Sequence, residues 1–551
     1  MPTISTRLKL CTALLIVQML APAFAADKRP AATLNQIQHI VVIYAENRSF
    51  DNLYGNFPGA EGLAKMKPEQ YQQRDRNGDL LEFLPPVWKA SDSKNTPPQV
   101  DPRFPTPLAN RPFAIDDPQG ANLGLAVPTR DLVHRYYEHI EQINGGKLDR
   151  FAALSDAGAL TMGYYDGTQL ELWKLAQEYT LADHFFMGAY GGSFLNHFWL
   201  ICACTPEFKH APDDMRAQLD QDGHLLRAAD SPARAADGPP HYLADKAVTP
   251  DGYAVNTVQP PYQPSGLATA PDDKHLADPG GHPLPPQTAT TIGDTLSARS
   301  VTWAWYAGAW NAALDDAERA PSERRVIYHG GDDAPNFQPH HQPFNYFANY
   351  APGSAARIAH LKDASEFFEA IDYGVLEEVT FYKPTGNLNQ HPGYTDVLSG
   401  DEHIADVVHR IQASTLWSST LIIITYDENG GLWDHVPPPH GDRWGPGSRI
   451  PALIISPFAR KHYVDSTVYD TTSILKLITR RYDLPPLAGV RSEVGDLRAA
   501  LELGDAPKTS AKPSHKKRKK HDKSARETTD THAADPKHKP SKSDLLIFDS
   551  P

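Results

Sequence analysis

The sequence predicts an α/β protein of three layers, α/β/α, with a mostly parallel central sheet, and three observations carry that expectation. Strand-like runs of β-branched and aromatic residues recur at 38–44, 180–186, 301–306, 378–382, 421–426 and 450–455. Helical periodicity appears between several of them, at 169–177, 291–299, 404–414 and 471–481. Alternation of this kind implies parallel strands joined by crossover helices and covered on both faces. The third observation is how two of the runs end. Ile40-Val41-Val42-Ile43 gives way to Glu46-Asn47, and Leu421-Ile422-Ile423-Ile424 gives way to Asp427-Glu428-Asn429. A buried strand that stops at polar side chains delivers them to its carboxyl end, where open α/β sheets bind ligands.

Taken in order along the chain, the first element is not part of the fold. Arg7 and Lys9 precede an apolar run from Leu10 to Met19, and Ala23-Phe24-Ala25 has the small-x-small pattern of a cleavage site. Residues 1–25 read as a Sec-type signal peptide, which predicts export to the periplasm or beyond. Residues 26–507 read as one large catalytic domain, since no linker interrupts them. Two polar stretches, 60–130 and 207–288, are rich in Pro, Asp, Ala and Gly; loops this long are expected to be lids or caps over a site. Residues 508–551 are Lys-, Ser- and Pro-rich with 12 basic against 6 acidic side chains, and are expected to be a disordered basic tail. Weak contact of that tail with a membrane or cell surface is the functional option.

With the tail at +6 and the first 25 residues at +2, the overall −14 leaves −22 on residues 26–507. So acidic a body is a poor candidate for general nucleic-acid binding, and no nucleic-acid partner is expected. Cys11 leaves with the signal peptide. Cys202 and Cys204 read as two buried thiols, because a disulfide across one residue within a helix is strained.

Hard oxygen ligands brought from separate strands predict a divalent metal and phosphate-ester chemistry. Gly191-Gly192-Ser193 then opens an apolar helical segment, where free amides and the helix dipole favour an anion. Ser193 there is either a nucleophile or a helix N-cap, and local sequence does not separate the two. His134, His184, His197, His340, His341, His391 and His435 all sit beside loops or strand ends, so at least one is expected to bind phosphate or donate a proton.

Glu46–Asp51, the Gly191–Ser193 turn, His391-Pro392 and the residues Tyr426 to Val436 together resemble the bacterial phosphoesterase family. That family contains phosphatidylcholine-preferring phospholipase C and a secreted acid phosphatase, on a fold related to alkaline phosphatase. The resemblance runs from about residue 37 to about residue 490. It implies that Glu46, Asn47, Ser193, Asp427 and Glu428 bind a divalent metal (Mg, Mn, Ca or Zn), with Ser193 also the nucleophile. His134, His391 and one of His340 or His341, preferably His340, would bind phosphate or protonate the leaving group. Asp434 and His435 would orient ligands from behind.

Asp51-Asn52-Leu53-Tyr54-Gly55 departs from the Asp-His-Tyr-Phe-Gly of many phospholipase members. The plain Sec signal and a body expected to end near residue 505 point the same way, to the acid-phosphatase branch. The expectation is therefore an exported metal-dependent phosphomonoesterase acting on a small phosphomonoester. The alternatives are a phospholipase C acting on a phospholipid headgroup, and a non-catalytic binder of phosphate or polyanions.

Overall fold

Eight strands form the central sheet: β1 (His39–Ala45), β2 (Thr180–Ala182), β3 (Trp303–Ala307), β4 (Leu361–Asp363), β5 (Val379–Lys383), β6 (Thr420–Tyr426), β7 (Ala452–Ile455) and β8 (Tyr463–Asp465). Their order is β8-β2-β7-β6-β1-β5-β3-β4. Every neighbouring pair is parallel except the two that involve β7, which runs against β6 and β2. The structure, a computed structural model, describes residues 33–89, 98–331 and 334–503. The expected signal peptide and basic tail lie outside the described residues.

β1 and β6 are buried on alternating residues of both senses, leaving only His39 half-exposed. That pattern requires cover on both faces and explains why these strands are continuous Val/Ile runs rather than alternating ones. Each fully buried Val or Ile contributes about 1.5–3 kcal/mol of hydrophobic stabilisation. The helices that matter below are α1 (Phe50–Tyr54), α2 (Tyr136–Ile143), α3 (Glu171–Glu178), α4 (Ser193–Cys202), α5 (Ile292–Ala298), α6 (Ala364–Tyr373), α7 (Val397–Ala413) and α8 (Thr471–Arg481). Several carry side-chain caps: Thr291 caps α5, Asp363 caps α6, Asp396 caps α7 and Asp470 caps α8. The buried Asp401 carboxylate of α7 accepts the Glu171 and Leu172 amides at the start of α3.

Register places the chemistry. Ala45 lies opposite Tyr426, and Ile43 opposite Tyr382, so β5, β1 and β6 finish side by side. Their next polar residues, Lys383, Glu46 and Asp427, therefore emerge from strands about 4.8 Å apart.

Three expectations are corrected. The strand expected over 180–186 breaks at Asp183-His184: Thr180–Ala182 joins the main sheet, while Phe185–Phe186 pairs with Tyr469–Asp470. The helix expected from 404 begins at Val397. Cys202 and Cys204 are not free thiols but a disulfide. The helix ends at Cys202 and Ala203 turns left-handed, φ +46°, so the two sulfurs are no longer held on one helix. The two polar stretches are tied to the body: Arg76 donates to the carbonyls of Ala153, Pro232 and Gly238, joining both stretches to the segment before β2.

Candidate active site

Glu46 and Asn47 directly follow β1, and Asn47 adopts φ +59°, a left-handed conformation that Asn tolerates well. The turn aims its backbone amide at Asp427 Oδ1, 3.1 Å away. Gly430, at φ +62°, closes the opposing loop: a Cβ there would lie 2.5 Å from the Asn47 carbonyl oxygen. Glycine is required by that contact.

Ser193 is the first residue of α4, not its cap. The cap position is Gly192, and no side chain caps the helix. The hydroxyl donates instead to Asn47 Oδ1 at 3.3 Å. Asn47 Nδ2 in turn donates to His391 Nε2 at 2.9 Å, and the His391 ring stacks on Tyr394 at 4.1 Å between centroids. Ser193, His134, His340 and His391 all line one cavity of about 550 Å³, together with Arg130, Asp131, Gln338 and Tyr394. His341 does not line it; its ring bonds Glu46 from behind.

Glu46, Asn47, Asp427 and Glu428 are fully buried. Asp427 Oδ2 and Glu428 Oε1 are buried with no hydrogen-bond partner, as are His340 Nδ1 and His197 Nε2. Buried carboxylate oxygens that lack a hydrogen bond, with Lys383 at 3.8 Å and His134 at 3.6 Å as ionic neighbours, fit a hard divalent cation, because burying them otherwise is costly. Glu46 fits it least, since its oxygens already meet His341, Asn389, Tyr394 and Lys383. Glu46, His340 and His341 also gather closely enough to share an ion.

The charges are unequal. Burial pushes Asp427 up to about 6, opposed by Lys383 and reinforced by Glu46. Burial lifts Glu428 well above the usual carboxylate range despite His134. Burial acts the same way on Glu46, but His341 and Lys383 outweigh it and hold that carboxyl low. Burial alone would depress His134; Glu428 at 3.6 Å and Asp131 at 3.5 Å overcome it and raise the imidazole to about 9. His341 is depressed to about 4 by burial, against the pull of Glu46.

Asp434 and His435 stand elsewhere. Asp434 binds Arg449 at 3.0 Å and accepts the Asp51 amide, while Asp51 bonds both His435 and Arg449. Arg449 already supplies the positive charge there, so the cluster of Asp51, Asp434 and His435 does not fit a cation. It pins the start of α1, just after Asn47, to the loop that follows Glu428. His184 bonds Asp183 and Glu61, and His197 lies fully buried beneath the site.

Sequence reading missed Lys383, Asn389 and Tyr394. A lone lysine closing an apolar strand, in Tyr382-Lys383-Pro384, was the signal for the first. Its ammonium sits 3.3 Å from Glu46 Oε1 and 3.8 Å from Asp427 Oδ2, fully buried.

Residues 37–485 match the Phosphoesterase family. Among named relatives, "Phospholipase C B" of Mycobacterium tuberculosis is 24% identical over 518 residues, covering 87% of this chain and 80% of the relative. "Non-hemolytic phospholipase C" of Burkholderia pseudomallei is 23% identical over 500 residues, covering 84% of this chain; the chain spans 57% of that relative's length. A solved alkaline phosphatase superfamily protein from Vibrio parahaemolyticus shares 10% identity, with 67% of this chain and 71% of that one covered at a TM-score of 0.29. The match over most of its length makes this chain a member of the phosphoesterase family.

Proposed function

We propose that this chain is an exported metal-dependent phosphomonoesterase, an acid phosphatase, in which Ser193 is the nucleophile. One observation carries the reading: the hydroxyl of Ser193, which lines the cavity, does not cap its own helix but donates to the buried Asn47. Its other support is the pair of buried carboxylate oxygens, Asp427 Oδ2 and Glu428 Oε1, that have no hydrogen bond.

A divalent cation on Asn47, Ser193, Asp427 and Glu428, with Glu46 adjoining, would supply Lewis-acid stabilisation of the serine alkoxide and the phosphoryl oxygens. Ser193 Oγ, its proton released to solvent beforehand, attacks phosphorus as the alkoxide, and the amides of the first turn of α4 face the non-bridging oxygens. As the bond from phosphorus to the leaving oxygen breaks, His134 donates a proton to that oxygen. His340 and His391 hold the phosphoryl group from the cavity wall. Water then attacks the phosphoserine and passes one proton back to His134 as the bond from phosphorus to Ser193 Oγ breaks, releasing hydrogen phosphate and restoring the Ser193 alkoxide. The charged and hydrogen-bonding lining suits a polar leaving group.

The relatives bearing phospholipase C names favour a second reading, cleavage of phosphatidylcholine-type diesters. Hydrolysis of a soluble aryl phosphomonoester and of phosphatidylcholine, at equal enzyme and with or without chelator, separates the two. Dominant, chelator-sensitive monoester turnover is expected; dominant diester cleavage overturns the choice of substrate class.

A further inference from the structure

His139 is a fully buried histidine that the chemistry above does not use. It lies on α2, five residues after His134, and its ring reaches two partners. Nδ1 lies 3.0 Å from the Gly191 amide and Nε2 lies 2.8 Å from Ser448 Oγ. An amide only donates, so Nδ1 must be the bare nitrogen and Nε2 carries the proton toward Ser448. The ring is therefore neutral, in one tautomer.

The turn it reaches is the one that launches Ser193. Gly191 has φ +90°, and a Cβ there would lie 2.7 Å from the Tyr136 backbone nitrogen. At Gly192 a Cβ would lie 2.8 Å from the His134 carbonyl oxygen. These glycines thus allow backbone to pack on backbone. Three successive amides of the turn have one acceptor each: Asn196 Oδ1 for Ala189, the Trp444 carbonyl for Tyr190, and His139 Nδ1 for Gly191. Only the last comes from the segment that also carries His134. One stretch of chain, 134–139, therefore sets both the proton donor and the launch of the nucleophile.

We propose that His139 is a positioning residue for the nucleophile: its Nδ1 accepts the Gly191 amide and thereby fixes the turn that presents Ser193 Oγ to phosphorus. The proposal rests on the reading of Ser193 as nucleophile, and its test separates the two.

Asn places its side-chain oxygen near the position of Nδ1, and Gln places its amide near the position of Nε2. His139→Asn therefore keeps the Gly191 contact and loses Ser448, while His139→Gln does the reverse. The measurements are kcat and KM on an aryl phosphomonoester, Tm, and deuterium exchange in a peptide spanning 188–193. We expect His139→Gln to lose about 100-fold in kcat, the scale of a small misplacement, with KM unchanged and exchange accelerated. His139→Asn should keep near-normal kcat and protected exchange. Equal loss in both variants, or none in either, overturns the proposal. Should the Gln variant fail to fold, 15N spectra of histidine-labelled wild type decide it, with His139 assigned by its absence from the Asn variant. A bare Nδ1 supports the contact, and a protonated Nδ1 overturns it. If Ser193→Ala is active in the same assay, the nucleophile reading fails by itself, and the exchange data alone judge whether His139 fixes the turn.

Discussion

Ser193 Oγ donates to Asn47 Oδ1 across 3.3 Å, joining the first turn of α4 to the end of β1, 146 residues away in the chain. Through Asn47 the same contact continues to His391 on one side and to Asp427 on the other. Asn47 is thus the residue on which the Ser193 hydroxyl, the His391 ring and the Asp427 carboxylate are aligned.

Asn47→Gly should show that alignment without backbone strain, because glycine accepts φ +59° freely. The expected result is a loss of about 100-fold in kcat/KM with a change in Tm of only a few degrees. Near-normal kcat/KM in this variant would remove the side chain from the account. Asn47→Ala should lose activity comparably and cost about 1 kcal/mol more in stability, from the left-handed conformation.

Lys383 balances two buried carboxylates, so its removal should be felt most when no cation shares that task. Lys383→Met leaves Glu46 and Asp427 without the ammonium, a change that costs about 3–5 kcal/mol when one partner of a buried pair is lost. Thermal unfolding with and without chelator checks this. The deficit should be larger in chelator; an equal deficit in both conditions would mean that the carboxylates and the metal are not coupled.

Arg449 joins Asp434 and Asp51 and also donates to the carbonyls of Glu61 and Asp183. Arg449→Met should therefore destabilise the fold by about 3–5 kcal/mol in urea unfolding. A loss under about 1 kcal/mol would show the clamp to be dispensable.

His139 predicts a pH dependence of stability. Burial, with the charge of His134, holds its imidazole down at about 3, against about 6.5 for a free histidine. The folded pKa lies below the unfolded one, so the unfolded chain takes up the proton first. The contribution is neutral above about pH 6.5, and stability falls as pH drops from there toward 3. At pH 5 the difference is on the order of 2 kcal/mol. His139→Asn should flatten the fall in Tm between pH 6.5 and 5. A steeper fall in the variant would reverse the sign of the argument.

Much of the site was legible because parallel strands bury both faces: the apolar runs ending at Glu46 and Asp427 mark their own carboxyl ends, and the register of β1 with β6 brings them together. Gly191-Gly192-Ser193 was legible as a helix start, but not whether Ser193 caps it. That depends on Gly192 taking the cap position and Asn47 taking the hydroxyl. Lys383 and Tyr394 were hidden because a charged side chain at a strand end and a loop tyrosine look solvated until another element buries them. The disulfide was misread because helix periodicity was carried past Cys202, where Ala203 turns left-handed. His139 carries no local signal at all; its partners, Gly191 and Ser448, are set by tertiary packing.

The central claim is that Ser193 becomes phosphorylated during turnover. The most direct measurement is an acid quench of enzyme turning over an aryl phosphomonoester, followed by phosphopeptide mapping. Phosphate on Ser193, absent from Ser193→Ala and from chelated enzyme, is the predicted result. Steady turnover with no phosphate on Ser193, or phosphate on another residue, would contradict it.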